Sequence, residues 1–577
     1  MSRRSVSQQR GNKQQYDAIY DLHKLAHEYP GFILSLGAPC LFQDKSLVIA
    51  ITLSMSHFRN DSEHIELHDT EKFFVGFPEM FPDCPPLIEV NHERWLGCAH
   101  TLAGGLWNRN GVRLCTYLDP HREWHPDLGI KGSIERIWDF IEKLANGNFD
   151  PTTALFHPIG GIQPHDHKAS TAVVRSHLGD LNKNINIASA RMRSEKRIDL
   201  FTRDDTELRI LTLTSPKRLI RGPGATLQEL LQSVADAGGS KPEAVMGALR
   251  RTASKNGPGK PLIVLLAVSR EAADAGSGHH LAAAQIDPRY SSAVAASQDD
   301  PHNALQNPVP LSWYRTADLR TETALRRDIR RPVRRLHGKR VLLCGCGALG
   351  SWIAELLVRA GVSHLTVTDL ATVGPDLLVR QNYTEDDVGF PKVSQLAARL
   401  RALSDDVEVN PRYEPSQGRV AEDVANHDLI IDATVNEAFG AVLSRAASKD
   451  LQHPLLAAVS TDISTASLGL IAVSGQSSGL GPAAVDEELH HEVLNTGRLE
   501  AFQTFWNKPE QGEELIAMRG CSTPTFHGSA ADAVGLAGTM VNLIAGHIDE
   551  HGSGLHLVAM PHAAVDAPAH TYIPLTR

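Results

Sequence analysis

The stretch from Leu336 to Val393 constrains this chain more than any other. It opens LHGKRVLLCGCGALGSWIAELLVRAGVSHLTVTDL and closes VRQNYTEDDVGFPKV. A short apolar run, Arg340 to Leu343, meets Gly345, Gly347 and Gly350 in the order G-x-G-x-x-G, with Ser351 next. An amphipathic segment to Ala360 follows, then a second apolar run, Leu365 to Thr368, ending at Asp369. The pattern predicts strand, tight glycine turn, helix, strand and acid, the start of a parallel α/β unit. Glycines let a backbone approach phosphate groups, and a helix amino terminus favours negative charge. An acid about 20 residues on, at the end of the second strand, suits ribose hydroxyls. At this level a site for NAD and a site for ATP look alike.

The residues after Asp369 separate the two. Arg380, Gln381 and Lys392 fall in the next loop and the start of the next helix. Cations there suit a triphosphate and the charge that develops as pyrophosphate leaves. An NAD site needs no such cluster. The arrangement resembles the ThiF/MoeB-type adenylation domain of ubiquitin-activating enzymes and of bacterial activators in thiamine and molybdopterin synthesis. That resemblance rests on Gly345, Gly347, Gly350, Asp369, the pair Arg380-Gln381 and Gly389-Phe390-Pro391-Lys392. It implies a Rossmann-like domain that binds ATP through these residues, with Arg380 and Lys392 acting in catalysis. It also implies a homodimer. Downstream, HDLIIDATVNEAF (His427 to Phe439) is similar to the family's strand ending in a magnesium-binding acid. The usual D-x-x-D-N reads here Asp432, Ala433, Thr434, Val435, Asn436, so the resemblance leaves Asp432 as the magnesium residue. Leu377, Leu378 and Val379 stand where the family usually has an Asn before the Arg-Gln pair.

A length of 577 residues predicts three to four domains. Hydrophobic content of 42% and charged content of 21% are ordinary for a soluble globular chain. A net charge of −10 gives no global attraction to nucleic acid. No apolar run approaches the roughly 18 residues of a membrane helix, and MSRRSVSQQRGNKQQ holds no signal core. Seven scattered cysteines with no C-x-x-C pair fit a reduced, cytoplasmic protein without structural zinc.

Four stretches follow: a compact block at 12–150, a Gly, Pro and His rich linker at 151–170, a mixed α/β block of unassigned role at 171–325, and the adenylation-like block at 326–577. The first begins with a helix near Gln14 to Tyr29. The third contains strands at Leu208 to Leu213 and Leu262 to Val268. GPGKP (Gly257 to Pro261) lacks the preceding strand and following Ser or Thr of a phosphate loop, so it reads as a turn. The pairs His165/His167 and His279/His280 read as solvated rather than metal-bound. RRDIRRPVRRLHGKR (Arg326 to Arg340) reads chiefly as a solvated linker helix, with an arginine reaching ATP as the second reading.

Two cysteines have chemical contexts. Cys521 sits in MRGCSTPTFHGSAADAV, near Arg519 and a helix that starts by Ser529. A thiol near a cation or a helix amino terminus ionises more easily, and a thiolate attacks acyl-adenylates. Cys521 follows the strands Leu455 to Ser460 and Leu468 to Val473 and a helical insertion, Ala484 to Phe505. In ubiquitin-activating enzymes a cysteine after the adenylation core captures the activated carboxyl. Cys115 stands in NGVRLCTYLDPHREWHP, about 25 residues after FPEMFPDCPPLIEV. Those segments resemble ubiquitin-conjugating enzymes: Asn110-Gly111, Cys115, Leu118-Asp119 and Trp124-His125-Pro126 follow that family's order. The family's H-P-N oxyanion donor is absent, which leaves Asn108 and His100 as candidates. Cys40, Cys84, Cys98, Cys344 and Cys346 read as packing residues.

Taken in order, the blocks resemble the bacterial fused activating–conjugating enzymes of type II CBASS antiphage operons. The resemblance implies ATP- and magnesium-dependent activation of a partner's carboxy-terminal carboxylate, a thioester relay from Cys521 to Cys115, and an amide to a target amine. The implied partner is a cGAS-like nucleotidyltransferase or a ubiquitin-like protein. Two other classes stay open: a sulfur-carrier adenylyltransferase of cofactor synthesis, and a nucleotide-binding scaffold without enzymatic activity.

Overall fold

The computed structural model describes residues 11–576, apart from 59–64, 97, 109–110, 118, 150–158, 160–168, 176–180, 182, 202–207, 270–278, 297–306, 321–329, 415–418, 450–451, 464, 507–527, 550–551 and 564. The chain divides into two compact units, Met1–Ala324 and Leu325–Arg577. No described helix is long and apolar enough to cross a membrane.

The first unit opens with the helix Lys13–Glu28. Asn12 accepts from the Gln15 amide while the Gln15 side chain accepts from the Asn12 amide, a reciprocal cap. Ala18, Ile19, Leu22 and Leu25 recur at helical spacing and are buried. They join one core with the helix Gly129–Ala145 and the strands Leu47–Ser54 and Thr70–Phe77. The sheet beneath is antiparallel. Its main path runs Ile33–Leu36, Leu47–Ser54, Thr70–Phe77, Leu87–Val90, Val112–Leu114, Thr101–Ala103.

A second, mixed sheet of eight strands occupies Thr171 to Asp318 of the same unit. The two strands read from sequence are its parallel centre, Leu208–Ser215 beside Leu262–Ser269, with Leu211 opposite Val264. The helices Leu227–Asp236 and Pro242–Asn256 cover Leu211, Leu213, Val264 and Leu266. Gly257 to Pro261 is the turn between that second helix and its strand, with Gly257 and Gly259 at φ +82° and +75°. Of the linker, Ile159 bridges Leu219; most of the rest lies outside the described residues.

The second unit carries the sheet that positions the candidate site. Its order is Glu408–Arg412, His364–Thr368, Arg340–Cys344, Leu429–Asp432, Leu455–Thr461, Leu468–Ser474, Gly554–Ala559, His570–Pro574. The first five are parallel and the last three antiparallel to their neighbours. From Arg340–Cys344 the chain moves outward one way, to His364 and Glu408, then returns to Leu429 on the other side. That reversal opens a crevice at the carboxyl ends of the strands, where such sheets take ligands. The helices Ala348–Arg359 and Ala530–His547 pack together over one face.

The insertion read as one helical stretch, Ala484 to Phe505, is two elements: the helix Pro482–Leu494 and a 3-10 segment, Gly497–Phe505. The break falls at Asn495 and Thr496, where the Thr496 hydroxyl donates to the Glu492 carbonyl and competes with the ladder. In the arginine-rich segment, the described Pro332–Leu336 is 3-10, with Pro at its start. Arg335 donates to the carbonyls of Gly546 and Ile548 at the end of the helix Ala530–His547. That cation meets the helix's negative pole.

Candidate functional site

The crevice is built from backbone outward. Cys344 stands opposite Asp432, so the glycine turn and the acid lie at the same level on the sheet's carboxyl edge. The Gly345 amide donates to the Thr368 carbonyl at 2.8 Å, and the Ala433 amide to the Cys344 carbonyl at 2.8 Å. Gly345 has φ +91°, and a Cβ there would lie 2.7 Å from the Ala433 oxygen. A Cβ on Gly350 would overlap the Gly345 carbonyl oxygen. Above Gly347, the N-cap of Ala348–Arg359, nothing stands within 4 Å of the place a Cβ would take. Two glycines are thus needed for packing, and the third leaves the helix amino terminus open to a phosphate. A cavity of about 400 Å³ adjoins, lined by Gly345, Gly347, Asp369, Glu414, Thr434 and Asn436 among others.

Asp369 spans the turn. One carboxylate oxygen accepts from the Cys346 amide and the other from the Ala371 amide, each at 2.7 Å. Lys392 begins the helix Lys392–Leu403, and its side chain is 7% exposed. Its amide donates to the Ala371 carbonyl, and Val373 donates to Phe390. These bonds tie the Asp369 loop to the Gly-Phe-Pro-Lys turn. Burial pushes the Cys346 thiol well above its ordinary range; Asp369 adds to this and Lys392 opposes it. Lys392 and Asp369 therefore converge on the glycine turn, and Cys346 stays a neutral packing residue.

Arg380 and Gln381 lie on a loop held by the first helix. Trp352 Nε1 donates to the Arg380 carbonyl at 3.0 Å, and the Asn382 amide donates to Ser351 Oγ at 3.1 Å. Asn382 also donates to Glu355 at 2.7 Å. Burial works against the Glu355 charge, but bonds from Asn382, Arg359 and Arg399 outweigh it and hold the carboxyl below its ordinary value. Gln381 is 8% exposed, and its Oε1 has no hydrogen-bond partner among the described residues. A buried acceptor left unpaired fits a site that a ligand completes.

Asp432 is 6% exposed. Its Oδ1 takes both the Thr434 amide at 2.9 Å and the Thr434 hydroxyl at 2.6 Å. Burial raises its carboxyl above the usual value, with the Thr434 bonds opposing. Oδ2 makes no hydrogen bond among the described residues, so the donor set fits a magnesium ion shared with phosphates. Val435 is 78% exposed with φ +53°. That conformation is uncommon for a β-branched residue and suits Asp or Asn better.

Cys521 lies outside the described residues. The chain is described again from Gly528, and Ser529 caps the helix Ala530–His547. The Ala530 amide donates to the Val379 carbonyl at 2.9 Å, beside Arg380. Sequence reasoning missed Thr434, Glu414 and Ser351. Thr434 had a signal, since a hydroxyl two residues after an acid commonly closes such a turn.

In the first unit, Cys115 follows the strand Val112–Leu114 and is exposed. Its amide donates to the His100 carbonyl at 2.9 Å, and its Sγ lies 3.7 Å from the Tyr117 carbonyl. Burial of the thiol group raises its pKa; Arg113 opposes this and Glu123 adds to it. The two sequence motifs meet where Trp124 Nε1 donates to the Pro82 carbonyl at 2.7 Å. Of the two proposed oxyanion donors, the His100 ring packs on Phe149 at 4.9 Å. The Asn108 side chain donates to Asn91.

Residues 323–508 match the ThiF family. The chain is 38% identical over 104 residues to the SAMP-activating enzyme E1 of Haloferax volcanii, 18% of this chain and 38% of that protein. It is 35% identical over 121 residues to the sulfur carrier protein ThiS adenylyltransferase of Bacillus subtilis, 20% of this chain and 36% of that one. It is 33% identical over 114 residues to the ATP-dependent ubiquitin transferase-like protein Cap2 of Pseudomonas aeruginosa, 18% of this chain and 20% of that one. Each match spans well under half of the relative. Across residues 323–508, then, this chain is similar to the ThiF family.

Proposed function

We propose that this chain activates the carboxy-terminal carboxylate of a partner protein with ATP and conjugates it to an amine. The observation that carries this reading is the cavity lined by Gly345, Gly347, Asp369 and Thr434 at an open helix amino terminus, with Asp432 at the same level on the sheet edge and Lys392 acting on Cys346 in the glycine turn. The ThiF-family match and the names of the relatives support adenylation of a protein substrate.

In this mechanism a carboxylate oxygen of the partner attacks the α-phosphorus of ATP, and the bond to pyrophosphate breaks. Arg380 and Lys392 stabilise the charge on the departing phosphates. Asp432 would hold a magnesium ion, which would supply charge neutralisation at the phosphates. The Cys521 thiolate then displaces AMP to form a thioester, and Cys115 takes the acyl group by thiol exchange. An amine attacks that thioester, the C–S bond breaks with its electron pair going to sulfur, and an amide remains. The partner is a ubiquitin-like protein or a cGAS-like nucleotidyltransferase. The domains follow the borders 12–150, 171–325 and 326–577.

ATP–pyrophosphate exchange, measured with each candidate partner's carboxy-terminal tail, tests the first step; absence of exchange with every tail overturns it. Asp432→Ala should raise the magnesium concentration needed for half-maximal exchange at least tenfold. In the unmutated chain that requirement should rise as pH falls through the raised Asp432 value, because a protonated carboxyl does not ligate. A flat pH response would assign the metal elsewhere. A homodimer through 326–577 is part of the proposal. Light scattering at micromolar concentration should give twice the chain mass, with or without ATP, and a monomer in both states counts against it.

A second reading keeps adenylation and ends in a thiocarboxylate. The similarity to the ThiS adenylyltransferase favours it. A mass spectrum of the product separates amide from thiocarboxylate.

A further inference from the structure

The proposed conjugation leaves a gap at Cys115. A thioester that is aminolysed must release sulfur with an electron pair, a charge distinct from the oxyanion for which His100 and Asn108 are candidates. The sheet supplies another group. Val112 and Leu114 are buried in the core, so alternation turns Arg113 and Cys115 to the opposite face. The Cys115 amide continues the ladder onto His100, which keeps this alternation through the cysteine. On the neighbouring strands, Arg113 stands opposite Glu89 on one side and Leu102 on the other.

Glu89 is fully buried, an unusual place for a carboxylate. It accepts from the backbone amides of Leu106 and Trp107. Burial raises its carboxyl, while those amides and the Arg113 charge oppose the rise. Burial likewise lowers the Arg113 guanidinium, with Glu89 and Cys115 both acting to hold its proton. Strand pairing thus places the buried Glu89 opposite Arg113, and Arg113 stands two residues before an exposed thiol, on the same face. Glu123 faces the thiol from beyond it, is bonded to the Asp119 amide and paired with Arg136, and opposes negative charge on the sulfur.

We propose that Arg113 is a positioning residue for acyl transfer, fixed by Glu89 to stabilise the anionic sulfur of Cys115. This rests on the conjugating role given to Cys115 above. In the step concerned, the amine nitrogen forms a bond to the thioester carbon, the C–S pair goes to Cys115 Sγ, and the ammonium proton leaves to water. Arg113 lowers the barrier by facing the charge that appears on sulfur.

The test needs no partner. Alkylation of the full chain by iodoacetamide is followed against pH, with peptide mass spectrometry reading Cys115 and exposed Cys40 separately. Arg113→Gln should raise the pH midpoint for Cys115 by about one unit, a roughly tenfold slower reaction near neutrality. Arg113→Lys should restore most of it. Glu123→Gln, which keeps an acceptor oxygen for the Asp119 amide, should move the midpoint down. Cys40 should not respond in any variant, which shows that the shift is local to Cys115, and an unchanged thermal midpoint reports that the fold is intact. An unmoved Cys115 midpoint in both Arg113→Gln and Glu123→Gln overturns the proposal. So does a midpoint in Arg113→Lys as high as in Arg113→Gln. Because alkylation needs no acyl group, these outcomes stand apart from any failure of conjugation itself.

Discussion

Lys392→Ala should abolish ATP–pyrophosphate exchange while leaving the fold intact. Lys392 is a buried residue, and among the described residues its ammonium forms no ion pair and no hydrogen bond. Its removal therefore breaks no hydrogen bond or ion pair in the ligand-free protein. The thermal midpoint should stay within a few degrees, as expected for changes below about 1 kcal/mol. In the proposed site the triphosphate loses a fixed charge, and removing one such group typically costs about 10²–10³ in rate. Lys392→Arg should recover little, because a planar guanidinium fork does not place its charge where a compact ammonium does. Exchange within threefold of the parent chain in Lys392→Ala would remove Lys392 from the site. A collapse of the thermal midpoint would make it a structural residue.

That crevice was readable in sequence because its parts are local and glycine-dependent. G-x-G-x-x-G announces a turn whose first and last positions admit no side chain, and the backbone around Gly345 and Gly350 has that shape. Asp369 and Lys392 were readable as candidate residues beside the glycine turn. Their shared loop contacts were not, since they depend on backbone bonds from Ala371 and Val373 to distant partners. The Asn382 contacts to Ser351 and Glu355 were equally hidden: a comparison with the family pattern looked before Arg380 for an Asn, and here one after Gln381 holds the loop. The break at Thr496 was missed because helical periodicity continues on both sides of it. In the first unit, the order of motifs located Cys115 but not its electrostatics. Glu89 is remote from Cys115 in sequence, and only strand pairing places it beside Arg113.

The second large effect concerns the order of acyl transfer. Cys115→Ala should accumulate a partner thioester on Cys521 and yield no amide, whereas Cys521→Ala should retain pyrophosphate exchange and leave Cys115 uncharged. Cys115 lies in the first unit, and the ThiF-family segment lies almost wholly in the second. The Cys115 thiol is raised by burial, so it holds little thiolate near neutrality and is a poor first trap for an acyl-adenylate. Acyl delivery from a linked thioester compensates, because fusion of the two blocks raises the effective concentration of donor for acceptor. Charging of Cys115 should therefore quicken as pH rises toward its raised value, since thiol exchange proceeds through thiolate. Cys115→Lys should form a stable amide to the partner that survives reducing gels, because an amine at that position attacks the arriving thioester and the product does not turn over. Two results would reverse the order. Amide product at the normal rate from Cys115→Ala would mean that Cys521 transfers directly and that residues 12–150 only bind a target. A partner adduct on Cys115 in the Cys521→Ala chain would mean that the adenylate loads Cys115 without an intermediate thioester.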